Sequence, residues 1–328
     1  MKTWINGHIH VMDGSIINSL MMNDEGIIID EKDGTPNEVI DLKGHHVYPA
    51  FVDCHIHLMG YGQHLSRLNI KHLNQKEDIL TYIKTNLKDN FIYIEGYQPC
   101  DITKHDLDAI STQANIHLRH EDYHGMTVNS NVLNTLDIAS EDGILLEHDA
   151  TNVMQSIKKA THEELVEFLK KAYASLYAFG VIAGHSDDLY YFNGYHDTLK
   201  AFIDVSKTHP FYAHVLIHHL TLEDHIKSKN NIGPLNPFIE LGAVKLFYDG
   251  TTGSKTALMT HPYTNQTYGE RIYDHDTFIH YVKRARQFDL AVAVHVIGDQ
   301  GLLELCHILK QYPVKKGLKD RIIHASYA

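Results

Sequence analysis

The residues best suited to chemistry in this 328-residue chain are histidines, of which there are 27. At that frequency chance alone supplies about two His-x-His pairs, and two are present, His8-Ile9-His10 and His55-Ile56-His57. Spacing therefore favours neither pair, and context must separate them. Alternate side chains of a strand share a face, so Phe51, Asp53, His55 and His57 would lie on one side and Val52, Cys54, Ile56 and Leu58 on the other. The apolar side suits a layer of helices, and two imidazoles about 6.5 Å apart at a strand's end can converge on one ion. For an isolated pair the competing reading is mutual hydrogen bonding, with Asp53 as a further partner. His8 and His10 sit in an alternating segment that reads as a surface strand.

The same placement, a polar residue at the end of an apolar run, recurs downstream. Ala291-Val-Ala-Val-His295 ends in histidine, with Ala291 and Ala293 on the same face small enough to leave room for an ion. Arg321-Ile-Ile-His324 ends likewise. Ala243-Val-Lys245-Leu-Phe247 sets a lysine inside an apolar run, where burial disfavours the ammonium. A neutral lysine amine can add carbon dioxide to become a carbamate, an anionic ligand able to bridge two metals. Alternatively Lys245 faces outward and pairs with a helix carboxylate. Five such residues at strand ends are hard to assign to coincidence, because that is where parallel barrels build active sites.

The elements that must carry these residues fall into two groups. Residues 1–48 read as a small β module, with strands near 4–11, 16–22, 26–29 and 39–42. Residues 49–328 read as an α/β barrel of the TIM (β/α)8 type, with runs at 47–58, 181–184, 211–217, 243–247, 290–296 and 321–325. Helices are expected near 197–205, 276–287 and 302–310, and another opens at Thr161, an N-cap with Glu164 three residues on, and ends at Gly180. An insertion at about 60–160, with a helix near 78–87 and a polar segment 117–134, separates the first two runs. These are six strands where a closed barrel has eight, so the chain reads as a fragment of a longer protein.

Composition narrows the partners. Acidic residues outnumber basic ones by 41 to 29, a formal charge of −12, which disfavours nucleic acid and anionic membrane. No apolar run has membrane-spanning length, and the polar start of the chain breaks any signal core, so the expected location is cytoplasmic. Three scattered cysteines, Cys54, Cys100 and Cys306, read as small buried residues rather than disulfides. A small-molecule substrate fits this profile, and a homo-oligomer is compatible with it.

Taken together, the motifs resemble the amidohydrolase superfamily, in its amidohydrolase 3 or YtcJ-like branch. The segments that carry the likeness are Val47-Tyr-Pro-Ala-Phe-Val-Asp-Cys-His-Ile-His57, Lys245-Leu-Phe-Tyr-Asp-Gly-Thr-Thr-Gly-Ser-Lys-Thr256, His295-Val-Ile-Gly-Asp299 and Ile323-His-Ala325. The resemblance implies two divalent metals, zinc by the imidazole-rich ligand set, with His55 and His57 on one, His295 and His324 on the other, and carboxylated Lys245 between them. It also makes His124 and Asn129, in the segment from Arg119, and Asp249 and Lys255, in the loop after the lysine strand, candidate substrate contacts. Ala50 stands where that family usually has glycine, and its eighth-strand aspartate, the general base, has no counterpart here. The implied activity is hydrolysis of a non-peptide amide by a metal-activated water. Hydrolysis of a lactone or ester at the same metals, or a non-catalytic metal-binding role, remain open alternatives.

Overall fold

The computed structural model describes residues 1–121, 125–157 and 159–328. The chain divides into two compact units, Met1–Asp53 with Leu176–Ala183, and Cys54–Ser175 with Gly184–Ala328.

In the first unit, two of the long strands expected from alternation are each broken in two. Lys2–Ile5 and His8–His10 are separate strands, as are Ile16–Ile17 and Leu20–Met22. The first break falls where Asn6 takes a left-handed backbone (φ 58°) and Gly7 runs so close to Leu42 that a Cβ would meet its Cδ1 at 2.3 Å. The halves join different sheets. Ile28–Ile29, Leu20–Met22, Lys2–Ile5 and Glu38–Asp41 form one, and Ile16–Ile17, His8–His10 and His46–Val47 the other. Alternation cannot see such a switch, because each half keeps its own period of two.

The main sheet carries six parallel strands in chain order, Phe51–Ile56, Val181–Ser186, Tyr212–His218, Ile239–Phe247, Val292–Val296 and Arg321–His324, curled into a nearly closed barrel. The two faces of its fourth and fifth strands divide cleanly. Val244, Leu246, Val292, Val294 and Val296 pack against Phe278, Val282, Ala285, Leu305 and Ile308, which come from helices His275–Gln287 and Asp299–Gln311. On the other face Leu216, Ala243, Ala293 and Ile323 form a smaller cluster. Burying a side chain such as Leu or Val is worth about 1.5–3 kcal/mol, so a one-residue slip of register would be strongly opposed. That same register fixes which residues emerge at the strand ends.

The helix His162–Ala178 begins as the sequence implies. Thr161 N–H donates to Glu164 Oε2 at 2.7 Å and Glu164 N–H to Thr161 Oγ1 at 3.3 Å, a reciprocal cap. Gly180, at φ 74°, follows its end. The segment between the first two barrel strands builds its own five-stranded sheet, in the order Ile144–Leu146, Gly125–Val128, Asn115–His120, Phe91–Tyr97, Leu68–Asn69. Ile79 and Ile83 of helix Lys76–Asn86 pack on its Ile92, Ile94, Ile116 and Leu118. Two strands thus run through what reads in the sequence as a polar segment, because their apolar residues face a local core.

Candidate metal centre

The first barrel strand ends at Ile56, one residue before His57, which is the N-cap of helix Leu58–Ser66. The expectation that His55 and His57 share one strand face is corrected accordingly: their rings lie 5.4 Å apart, inclined at 69°. The end of the second strand enforces the turn. Ser186 Oγ accepts from Leu58 N–H at 3.0 Å, and Asp188, fully buried, accepts from Met59 N–H at 3.0 Å and Gly60 N–H at 3.3 Å. A carboxylate on the first N–H groups of a helix is favoured by its dipole. His57 Nδ1 meets the Asp187 carbonyl oxygen at 2.6 Å. A carbonyl only accepts, so Nδ1 carries the proton and Nε2 keeps its lone pair.

Around this corner the strand ends bring their histidines together. The His324 ring is 5.1 Å from His55 and 4.7 Å from His295. His324 and Ala325 both adopt positive φ, 73° and 46°, backbone strain of a kind that concentrates at functional sites. His295 Nε2–H donates to the Gly250 carbonyl at 3.1 Å, which leaves its Nδ1 with the lone pair. Burial pushes His55 down to about 3, helped by Lys245 and the neighbouring imidazoles. Burial is also the leading cause that lowers His295 and His324. Imidazoles held neutral near pH 7 are in the form that binds metal.

Lys245 points into this cluster, not outward. It is fully buried, with Nζ 3.5 Å from His55 Nε2, 3.5 Å from Asp187 Oδ2 and 4.4 Å from the centre of the Phe247 ring. Burial lowers the lysine and raises the aspartate, each opposed by the other's charge, so both are drawn toward neutrality. Asp187 is also fully buried, and its Oδ1 has no hydrogen-bond partner.

The donor set fits a divalent cation in kind: neutral imidazoles, a buried carboxylate with an open oxygen, and a lysine that burial biases toward the free amine. Two imidazoles sharing one tetrahedral ion have ring centres about 5 Å apart, the spacing found here. Among the described residues, however, no three His, Cys, Asp or Glu side chains converge closely enough to hold an ion as they stand. His295 shows one cause, since its Nε2 is turned to Gly250.

The remaining sequence candidates behave differently. Asn129 is fully buried and spent on its own backbone: Oδ1 accepts from Ile116 N–H at 3.3 Å, and Nδ2 donates to Ser111 O at 3.0 Å and Ala114 O at 2.8 Å. It is a structural bracket, with no atom left for substrate. Asp249, also fully buried, accepts from Leu258, Ile297 and Gly298 N–H groups at 2.8–2.9 Å. It ties the loop after the fourth strand to the end of the fifth, beside His295, instead of facing a ligand. Lys255 is exposed, 3.5 Å from Thr264 Oγ1, and His124 lies outside the described residues. His8 and His10 stack on His46, with ring centres 4.8 and 5.2 Å away.

Residue reading missed Asp187, Asp188 and His218. His218 ends the third strand opposite Lys245 in register, is buried, and is pushed down to about 3, mainly by burial. The signal was present. Val181-Ile-Ala-Gly-His-Ser-Asp-Asp188 and Val215-Leu-Ile-His218 are also apolar runs ending in polar residues.

A parallel barrel with imidazoles and a buried lysine gathered at the C-terminal ends of its strands is the architecture of a barrel hydrolase. The chain belongs to the amidohydrolase family, whose model matches residues 38–328. It is 29% identical over 364 residues to "Putative amidohydrolase YtcJ" of Bacillus subtilis (strain 168), covering 98% of this chain and 68% of that one. It is 26% identical over 336 residues to the Arabidopsis thaliana protein LONG AFTER FAR-RED 3, covering 90% and 57%. Two solved structures, uncharacterized metal-dependent hydrolases from Pyrococcus horikoshii OT3 and Pyrococcus furiosus, share the fold at a TM-score of 0.77. They are 24% and 23% identical; each match covers 98% of this chain, and 69% and 71% of those chains respectively. Among the described residues no helix is long and apolar enough to cross a membrane.

Proposed function

We propose that this chain forms the metal-binding barrel of a hydrolase that cleaves a non-peptide amide bond in a small molecule. The observation that carries the reading is the cluster in which the His324 ring lies against both His55 and His295 while fully buried Lys245 reaches His55 at 3.5 Å. His55 with His57, and His295 with His324, would hold two divalent cations, zinc by ligand type, with carboxylated Lys245 between them. Bound there, the cations would supply Lewis acidity toward the amide carbonyl and lower the pKa of water toward neutrality.

The chain's own groups prepare this chemistry. Asp187 Oδ2 is placed to take the ammonium proton of Lys245, freeing the amine whose nitrogen bonds to the carbon of carbon dioxide. The carbamate forms with loss of one further proton. The His57 N–H bond to the Asp187 carbonyl holds that ring in the tautomer with Nε2 available. Asp249 fastens the loop that carries Gly250 and, through it, His295.

The test assays the zinc-loaded protein on matched amide and lactone panels, before and after metal chelation. Chelator-sensitive amide hydrolysis is the expected result. Lactone hydrolysis without amide hydrolysis would replace the bond type. Full metal occupancy with no turnover on either panel would make the chain a binding protein.

A further inference from the structure

Beside the histidine cluster lies a cleft of about 550 Å³ whose lining includes Arg67, Met154, Ile157, Tyr190, Tyr191 and Phe192. Its size is that of a small-molecule site. The cleft and the cluster share a wall. The Tyr191 ring lies 5.6 Å from His57, edge to face, and its hydroxyl is 3.5 Å from Asp187 Oδ2. Tyr190 stacks on His218 at 4.5 Å. The tyrosine pair that bounds the cleft thus packs directly on two strand-end imidazoles, His57 and His218.

The lining also says what that group is. Tyr190 and Tyr191 are 45% and 47% exposed, adjoining rings left half open in a concavity, which is the kind of apolar surface a ligand covers. Charge selects little. Arg67 is already held by Glu95 and lies over the Tyr93 ring at 4.6 Å, while Lys159, the other cation of the lining, is open to solvent. Of the uncharged lining, three aromatic residues and Met154 supply planar faces and polarizable edges, which favour an aromatic ring, while the amides of Gln63 and Asn193 supply polar groups beside it.

We propose that the cleft seats an aromatic ring of the substrate, so that the amide cleaved is one bearing an aryl group within a few bonds of its carbonyl. This rests on the hydrolase reading above. In the reaction the oxygen of water bonds to the carbonyl carbon, the C–N bond breaks, and the nitrogen leaves with a proton. An acid and an amine result, and no oxidant or second substrate is consumed.

The test measures zinc-loaded protein on N-methyl phenylacetamide and N-benzylacetamide against N-methylacetamide, and measures binding of phenylacetate and benzylamine by calorimetry. At least one aryl amide should exceed N-methylacetamide in kcat/KM by about tenfold or more. Phe192→Ala and Met154→Ala should raise KM for that amide about tenfold with kcat unchanged, so that its advantage over N-methylacetamide in kcat/KM shrinks. Phe192→Leu, which keeps bulk but loses the ring, should show the same loss if Phe192→Ala misfolds. Cleavage of all three amides without aryl preference, and without response to these variants, would overturn the aryl assignment and leave the hydrolase reading intact. Product binding that is weakened by Phe192→Leu, with no amide cleaved, would support the cleft and overturn the hydrolase reading. Neither binding nor cleavage would overturn both.

Discussion

The rings of His55 and His324 lie 5.1 Å apart, edge to face, although they come from the first and last of the six parallel strands of the main sheet. Contact between edge strands means that the sheet curls far enough to bring its first and last strands' ends to one place. If that meeting point holds metal, zinc content measured by mass spectrometry of the loaded protein should fall sharply in His55→Ala and in His324→Ala. It should stay unchanged in a His8→Ala, His10→Ala double variant, whose rings stack on His46 in the N-terminal module. The opposite pattern would move the centre to that module.

Lys245 tests the bridging carbamate directly. Lys245→Ala should lose bound metal and activity, with partial recovery when a short-chain carboxylic acid is supplied in solution. Lys245→Arg should not recover, because its guanidinium stays charged and fills the space. Retention of full metal content in Lys245→Ala without any additive would remove the bridge.

Asn129 separates a bracket from a substrate contact. Replacing it with alanine abolishes three hydrogen bonds, two buried and one part-buried, to backbone groups of Ile116, Ala114 and Ser111. The expected loss is about 3 kcal/mol of unfolding free energy, read by denaturant titration. KM of the folded fraction should not change; a raised KM at undiminished stability would restore the substrate role.

Asp249→Ala should likewise destabilise by about 3 kcal/mol, since three N–H groups, one buried and two part-buried, lose their acceptor. Exposed Lys255→Ala should lie within about 0.5 kcal/mol of the parent. Equal effects from the two variants would contradict the loop-tying role.

A pH dependence follows from His117 in the five-stranded sheet, buried and pushed down to about 4 by desolvation against the opposing pull of the Ile92 carbonyl. Because the folded state resists protonation more than the unfolded one, this histidine's contribution is complete above about pH 6.5. It is lost as pH falls from there to about 4, by about 3 kcal/mol in all. Comparison of parent and His117→Phe between pH 7 and 4 should show the parent losing more stability by that order. Parallel curves would show that His117 does not titrate across folding.

Local pattern carried much of the barrel. Its strands are apolar runs of parallel-sheet length, its helices show period 3.6 with caps such as Thr161 and Glu164, and both signals depend on neighbours in the chain. For the same reason His55, Lys245, His295 and His324 were legible as polar residues ending apolar strands. What only the tertiary structure decided depends on groups far apart in sequence. Asp188 and Ser186, some 130 residues on, turn His57 off its strand and into a helix N-cap. Asp187 meets Lys245 across the barrel, and Asn129 and Asp249, indistinguishable from surface loop residues in the sequence, are consumed by backbone N–H and C=O groups that folding brings to them. Hydrogen-bond valence is filled by whichever group arrives in space, and periodicity along the chain contains no record of those arrivals.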